Sequence, residues 1–500
     1  MWGTKFSFSL SMLCFFVVIS QEEIQRSQFP EEFFFGVATS SYQVEGAVLE
    51  DGRGLNSWDV FTHIQGKIKD GGDADVTDDH YHQYEEDIDL IHSIGVNSYR
   101  FSISWTRILP KGRFGGVNPN GIMFYNKLID KLLQKGIEPF VTLSHHDIPQ
   151  KLEEKYQSWL NPLIQDDFVY YADICFRNFG DRVKYWITIN EPNLFVNSAY
   201  LEGRYPPGRC SAPFGNCSSG NSEIEPLIAA HNMILSHAKA SQIYRKHYPA
   251  EQGGYIMLVP HAAWYIPISD SEADREAASR AVAFQAPWII DPLVFGDYPP
   301  EMRKILGDRL VDFIGFNHYA TLYAKDCIHS ACKFGGHPIE GFVQITNQKN
   351  GIPIGEPTAF PKNFVTPYGF EMLIEYLKKR YNLPMIILEN GMAQANEPLD
   401  LHNELLYDIK RVNYHKSYLA ALHRTMRKGA DVRGYFVWSL MDNFEWNSGF
   451  IFRFGLYYVD YNTLKRTPKE SAKWYNDFLT NGTKLEKQAI TGSRHMIRTQ

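Results

Sequence analysis

The chain is 500 residues long, 44% hydrophobic and 21% charged, proportions that suit a globular enzyme with one large core and no long disordered region. Its net charge of -7 argues against a nucleic-acid partner, since counterion release needs a basic surface. Lys5, the apolar run Phe6 to Ile19 and the polar Gln21-Glu22-Glu23 read as a signal peptide over residues 1–20, because the run is shorter than the ~20 residues of a membrane span. No later segment is apolar for long enough to span.

Apolar runs bounded by Gly and Pro predict strands at 33–40, 96–103, 138–144, 185–191, 254–260, 312–318, 385–389 and 432–439. Helical patterns separate most of them. Asp79 to Ile94 sets Tyr84, Ile88 and Ile91 at spacings of three and four, Phe124 to Lys135 does so with Leu128, Leu132 and Leu133, and Asn403 to Lys428 is a long amphipathic stretch, all of helical period. Strands alternating with helices imply a parallel sheet. Eight such units predict an α/β fold, a single (β/α)8 TIM barrel over residues 21–482 with its site at the C-terminal rim, followed by a disordered tail over 483–500.

Secretion permits disulfides. Cys210 and Cys217 bracket a short Gly/Pro/Ser loop that a bridge would close, Cys327 and Cys332 are a second candidate pair, and Cys175 sits in the helical run Phe168 to Phe179 as a buried small hydrophobe. Asn216-Cys217-Ser218 and Asn481-Gly482-Thr483 are glycosylation sequons at Asn216 and Asn481, short signals in a secreted chain.

Polar residues fall where such a barrel builds its site. Gln43 and Glu45 follow the first strand, Arg100 lies on the second, His145 follows the third, and Asn190 and Glu191 end the fourth, with Asn317, Tyr319, Glu389 and Trp438 on later strands. Buried strands have no structural need of these groups, and each costs desolvation. Two phrases, Thr188-Ile189-Asn190-Glu191-Pro192 and Leu388-Glu389-Asn390-Gly391, each hold a carboxylate at a strand end. Two carboxyls about 5 to 5.5 Å apart cleave a glycosidic bond with retention, one protonating the leaving oxygen and the other attacking the sugar. Neighbours on a strand point to opposite faces, so Asn190 and Glu191 can both meet substrate only if that strand end is irregular.

Taken together, Phe34 to Gly46, Tyr99 to Trp105, Asn190-Glu191-Pro192, Glu389-Asn390-Gly391 and Trp438 to Trp446 make the chain resemble glycoside hydrolase family 1, in particular the secreted plant β-glucosidases, from about Phe29 to about Phe478. The resemblance implies Glu191 as acid/base and Glu389 as nucleophile. It implies substrate binding by Gln43, His145, Asn190, Tyr319, Trp438, Glu445 and Trp446, supported by Arg100, Asn317 and Phe454. A Trp438-Ser439 cis peptide belongs to the same pattern. An ionised Glu389 would keep Glu191 protonated by repulsion, and an anionic Glu445 would repel a 6-phosphate. Hydrolysis of O-linked β-D-glucosides of small hydrophobic or phenolic alcohols is the expected activity, with monolignol glucosides the favoured class. The implied partner is that small-molecule glucoside, and oligomeric state leaves no signal. No cofactor is implied, and no metal: His80 and His82, near Asp78 and Asp79, are spaced too closely for one helical face, and neither they nor His145-His146-Asp147 complete a tetrahedral set.

The chain departs from the family at four places. His146 replaces a usual Trp, Leu388 a usual Thr before the nucleophile, and Lys362-Asn363 a pattern beginning with the Trp that clamps the aglycone. Between Met302-Arg303-Lys304-Ile305-Leu306 and the sixth strand only Gly307 to Val311 remain, shorter than in relatives by roughly a helix, the length of one barrel-covering segment. Two other readings stay open: a shortened sugar-binding protein without turnover, and a transglucosidase using an alcohol acceptor.

Overall fold

A computed structural model describes residues 23–248, 253–296, 313–396 and 402–480. The signal-peptide segment, the tail, Asn481 and the shortened stretch at Gly307 to Val311 lie outside the described residues. Eight strands, β1 (Phe34–Ala38), β2 (Ser98–Ser102), β3 (Glu138–Ser144), β4 (Tyr185–Asn190), β5 (Tyr255–Val259), β6 (Ile314–Asn317), β7 (Met385–Asn390) and β8 (Val432–Trp438), match the predicted set within about two residues, the usual scatter of strand ends.

They form one parallel sheet in the order β5-β4-β3-β2-β1-β8-β7-β6. Its two edges meet at the rim, where the Asn317 N–H donates to the Pro260 carbonyl at 3.1 Å and the Ala262 N–H donates to the Asn317 carbonyl at 2.9 Å. The sheet is thus a nearly closed barrel with little free edge. Phe140, Ile187, Met257, Phe313, Ile386, Leu388 and Phe436 fill its interior. Leu388 belongs to this layer and presses on Gly315, where a Cβ would stand 2.7 Å from Leu388 Cδ1; the substitution for Thr is absorbed by core packing.

Helices cover the outside, including α1 (His80–Ile94), α2 (Pro119–Gln134), α3 (Leu163–Phe179), α4 (Glu225–His247), α5 (Pro367–Tyr381) and α6 (Ile409–Arg427). α2 begins five residues before the predicted Phe124 because Asn118 accepts from the Asn120 N–H and Pro119 opens the first turn, a favoured start. The predicted continuous helix from Asn403 is broken. A short helix His402–Leu406 precedes α6, because the buried Asp408 carboxylate between them binds Arg411 and both the N–H and the hydroxyl of Ser471.

Cys210–Cys217 and Cys327–Cys332 are disulfides and Cys175 is a buried thiol. Asn216 is exposed beside the first bridge. No described helix is long and apolar enough to cross a membrane.

Candidate active site

The rim gathers the predicted side chains into a cavity of about 280 Å³ lined by His145, His146, Glu191, Tyr319, Glu389, Trp438, Glu445, Trp446 and Phe454. Two roomier hollows, about 540 Å³ and 520 Å³, contain neither Glu191 nor Glu389.

Glu389 ends β7 facing inward. Arg100 Nη1 donates to its Oε1 at 2.6 Å and the Tyr319 hydroxyl to its Oε2 at 2.7 Å. Arg100 also reaches sideways, donating through Nη2 to Asn190 Oδ1 at 2.7 Å. Asn317 Nδ2 donates to that same Asn190 oxygen at 3.1 Å and to Glu191 Oε1 at 2.9 Å. One chain of hydrogen bonds, Glu389–Arg100–Asn190–Asn317–Glu191, therefore ties the two carboxyls together across the barrel mouth. Both are buried.

The irregularity expected at β4 is present. The register against β5 shifts between Ile187 and Asn190, and Glu191 adopts the left-handed conformation with φ 43°. That kink turns the carboxyl toward the pocket beside the Asn190 amide, instead of to the opposite face. A similar shift interrupts β7 between Ile387 and Asn390.

Burial is the largest influence on each carboxyl. It pushes Glu389 up to about 7, with Arg100 opposing and the charge of Glu191 adding to the rise. At Glu191 burial also works upward, but hydrogen bonds from His261 and Asn317 outweigh it and hold the carboxyl below its ordinary range. Each carboxyl is thus set by its own surroundings as well as by repulsion from the other, and a histidine that the sequence did not single out takes the charge-stabilising place beside Glu191.

At Glu445 burial first, then the charges of Glu389 and Glu191, push the carboxyl up to about 8, which weakens the expected repulsion of a 6-phosphate by its charge. Its Oε2 lies 3.4 Å from Gln43 Nε2, which also donates to Asn443 Oδ1 and the Phe444 carbonyl. Gln43 thus fixes the loop that carries Glu445. Glu45 is the polar rim residue the structure removes from the site, since it accepts from Arg107 Nε at 3.0 Å and the Tyr125 hydroxyl at 2.5 Å within the wall.

Aromatic rings make the floor. The His145 ring stacks between Trp438 and Trp446, with centroids 5.9 and 5.8 Å away, and its Nε2 accepts from Asn190 Nδ2 at 3.0 Å. Trp438-Ser439 is a non-proline cis peptide. Phe454 meets Tyr319 edge-on at 6.2 Å. His146 stacks on Phe195 at 5.1 Å, and burial lowers it to about 4, so it stands in the cavity wall as a neutral flat ring. Lys362 and Asn363 line the mouth.

His80 and His82 do not converge. His80 pairs with the buried Asp87 at 2.8 Å, and His82 with Asp79 and Glu50 at the surface.

The residue that the sequence reading missed is His261, just past β5. Its Nδ1 lies 3.3 Å from Glu191 Oε1, and it lines the cavity. The available signal was a lone polar residue after the strand for which no rim group was named.

The model of the family described as Glycosyl hydrolase family 1 matches residues 25–483. A rice protein named "Probable inactive beta-glucosidase 14" is 52% identical over 91% of this chain and 92% of its own. A coniferin β-glucosidase of Pinus contorta is 48% identical over 92% of this chain and 94% of its own. Among solved structures, a mutant rice β-glucosidase in covalent complex with glucose superposes with a TM-score of 0.86 at 46% identity, covering 91% of this chain and 99% of that one.

Proposed function

Because this chain belongs to glycosyl hydrolase family 1, we propose that it hydrolyses O-linked β-D-glucosides with retention, Glu389 serving as nucleophile and Glu191 as acid/base. The observation that carries this reading is the bonded chain from Glu389 through Arg100, Asn190 and Asn317 to Glu191 within one cavity. Arg100 is a permanent cation, so a bound sugar that excludes water strengthens its hold on a charged Glu389. Among the described residues Glu191 has no permanent cation bonded to it, but an amide and an imidazole, partners that suit a carboxyl passing between acid and base.

The glucosyl ring is proposed to lie against Trp438, with Asn190 and His145 meeting its hydroxyls on one side and Glu445 and Trp446 on the far end. Glu191 protonates the departing oxygen while Glu389 attacks the anomeric carbon. Once the ester forms, the Glu389 charge is gone, and Glu191 takes a proton from water as it attacks. In the rice relative the sugar is covalently bound, which supports this course.

Leu194, Leu322 and Phe360 line the outer part of the cavity with Phe454, surfaces that suit a small apolar or phenolic alcohol. The pine relative's name supports monolignol glucosides as the class. Two disulfides support a secretory route for the chain, since such bonds persist in oxidising compartments. Asn216 is its proposed glycan site.

Turnover of a chromogenic β-glucoside tests the activity, and mass spectrometry after a 2-fluoroglucoside inactivator tests the roles: the expected label is on Glu389, and a label elsewhere overturns the assignment. The rice relative named as inactive favours a second reading, binding without turnover. Glucoside binding by folded protein with no product released would select it.

A further inference from the structure

His261 is held more firmly than a chance neighbour of Glu191. Its N–H donates to Asn193 Oδ1 at 3.0 Å, and Asn193 Nδ2 donates back to its carbonyl at 2.8 Å. It also bridges to Asn317 where the barrel closes. The ring lies nearly parallel to Tyr319, at 10° and 6.3 Å. Its side chain is 17% exposed against 7% for that of Glu191, and among the described residues Nε2 has no protein partner, so one ring nitrogen meets the carboxyl while the ring itself borders the cavity.

We propose that His261 is a second holder of the catalytic proton, a positioning residue that lends a proton to Glu191 through Nδ1 and receives it back. This inference rests on Glu191 being the acid/base. Before the glycosidic bond breaks, the shared proton rests between Nδ1 and Glu191 Oε1, which lie 3.3 Å apart. As the glycosidic bond breaks, the Nδ1 proton passes to Glu191 Oε1 and on to the departing oxygen, leaving a neutral ring with its hydrogen on Nε2. In the second half the attacking water gives its proton to Glu191, which returns it to Nδ1. No proton is gained or lost over the cycle.

Imidazole is suited to this part because its charge changes within the physiological range. The lowering of Glu191 by its histidine partner agrees with it. The other titratable groups around this pair are Tyr319 and His318 beyond β6, His146 after β3, Tyr205, and the carboxyls of Glu389 and Glu445, and both carboxyls are common to all three proteins compared below. Of these, Tyr319 is committed to Glu389, and burial pushes its phenol far above neutrality. Burial lowers both His318 and His146 to about 4, so neither takes the charge near pH 7.

The experiment compares kcat/KM against pH for the unaltered chain, His261→Gln and His261→Ala on two substrates. An alkyl β-glucoside needs a proton on its leaving oxygen and a dinitrophenyl β-glucoside does not. Loss of the second holder is expected to move the alkaline limb for the alkyl glucoside down by about one pH unit, a tenfold change in proton affinity, in both variants. The amide can donate to Glu191 but cannot store a proton. The dinitrophenyl profile stays in place. Superimposable alkyl profiles for all three proteins overturn the inference while leaving the proposed function standing.

If the unaltered chain shows no turnover, the proposed function fails first, and histidine-labelled NMR decides this inference alone. The ring signal absent from the His261→Gln spectrum is expected to titrate about one unit higher in the unaltered chain than in Glu191→Gln, the scale of one close opposite charge. Equal titration in the two overturns it.

Discussion

At the end of β4, Glu191 lines the cavity and Asn190 joins the hydrogen-bonded chain at its wall, whereas at the end of β7 Glu389 lines the cavity and Asn390 turns away. Asn390 Nδ2 donates to the His318 carbonyl at 2.7 Å and the Tyr414 hydroxyl at 2.9 Å, while the Tyr435 hydroxyl donates to its Oδ1 at 2.7 Å. It fastens the strand end to α6 and β8. Two phrases that pair the same residue types thus put them to different use: a left-handed kink at Glu191 brings both side chains inward, and without such a kink the Asn behind Glu389 becomes an anchor. The electrostatic settings differ too, a permanent cation at one carboxyl and an imidazole at the other.

The comparison is broken most directly by removing the carboxyls. Glu389→Gln is expected to lower kcat by about 10⁴-fold or more on any glucoside, the scale on which loss of a covalent nucleophile acts. Glu191→Gln is expected to cost about 10²- to 10⁴-fold, and only on substrates with poor leaving groups. Equal losses on both substrate types would show that the two strand ends do not divide the chemistry. Steady-state kinetics with alkyl and dinitrophenyl glucosides reads this out.

Arg100→Lys tests the link between the strands. One ammonium cannot reach Glu389 and Asn190 with separate nitrogens as the guanidinium does. The expected loss is about 10²- to 10³-fold in kcat with little change in KM, as for other fixed donors at a developing charge. A change confined to KM would mean that Arg100 merely shapes the cavity.

Most of the architecture was legible because barrel strands are short apolar runs between Gly and Pro, and because the rim groups follow them at once. The irregularity at Glu191 followed from requiring Asn190 and Glu191 on one face, and it is there. What period and composition do not encode is which way a side chain turns after the strand ends. Glu45 read like a rim residue, yet Arg107 and Tyr125 draw it into the wall. His261 read like nothing in particular, because its place beside Glu191 depends on β5 meeting β6, a contact between segments 56 positions apart in the case of Ala262 and His318. The electrostatic setting was hidden for a related reason: burial raises both Glu389 and Glu445, and depth within the barrel is a property of the closed fold.

The two asparagines offer a smaller test. Asn190→Ala is expected to reduce kcat/KM by roughly 10²-fold, since it removes an oxygen bonded to both Arg100 and Asn317 together with the amide that donates to His145, fixed dipoles beside the two carboxyls. Asn390→Ala is expected to leave turnover within about tenfold. It strips two tyrosine hydroxyls and a carbonyl of buried partners, at roughly 1–3 kcal/mol each for groups left unsatisfied, and so lowers Tm. Calorimetry beside kinetics separates anchor from ligand; a catalytic loss in Asn390→Ala as large as that in Asn190→Ala would erase the distinction.

The finest test follows stability with pH. Glu389 sits at about 7 when folded against about 4.3 when unfolded, so between those values the native state binds more protons and stability falls as pH rises. Glu191 is held below its ordinary range; its contribution is present above the unfolded value and is lost as pH falls through the folded one. Relative to the unaltered chain, Glu389→Gln is therefore expected to gain in Tm as pH rises from about 5 to 8, and Glu191→Gln to lose as pH rises from about 3 to 5. Absolute Tm carries other effects, because Glu389→Gln leaves Arg100 without its anion, so the slopes decide. Parallel profiles for both variants and the unaltered chain would mean that the two carboxyls are electrostatically alike, whatever their different neighbours.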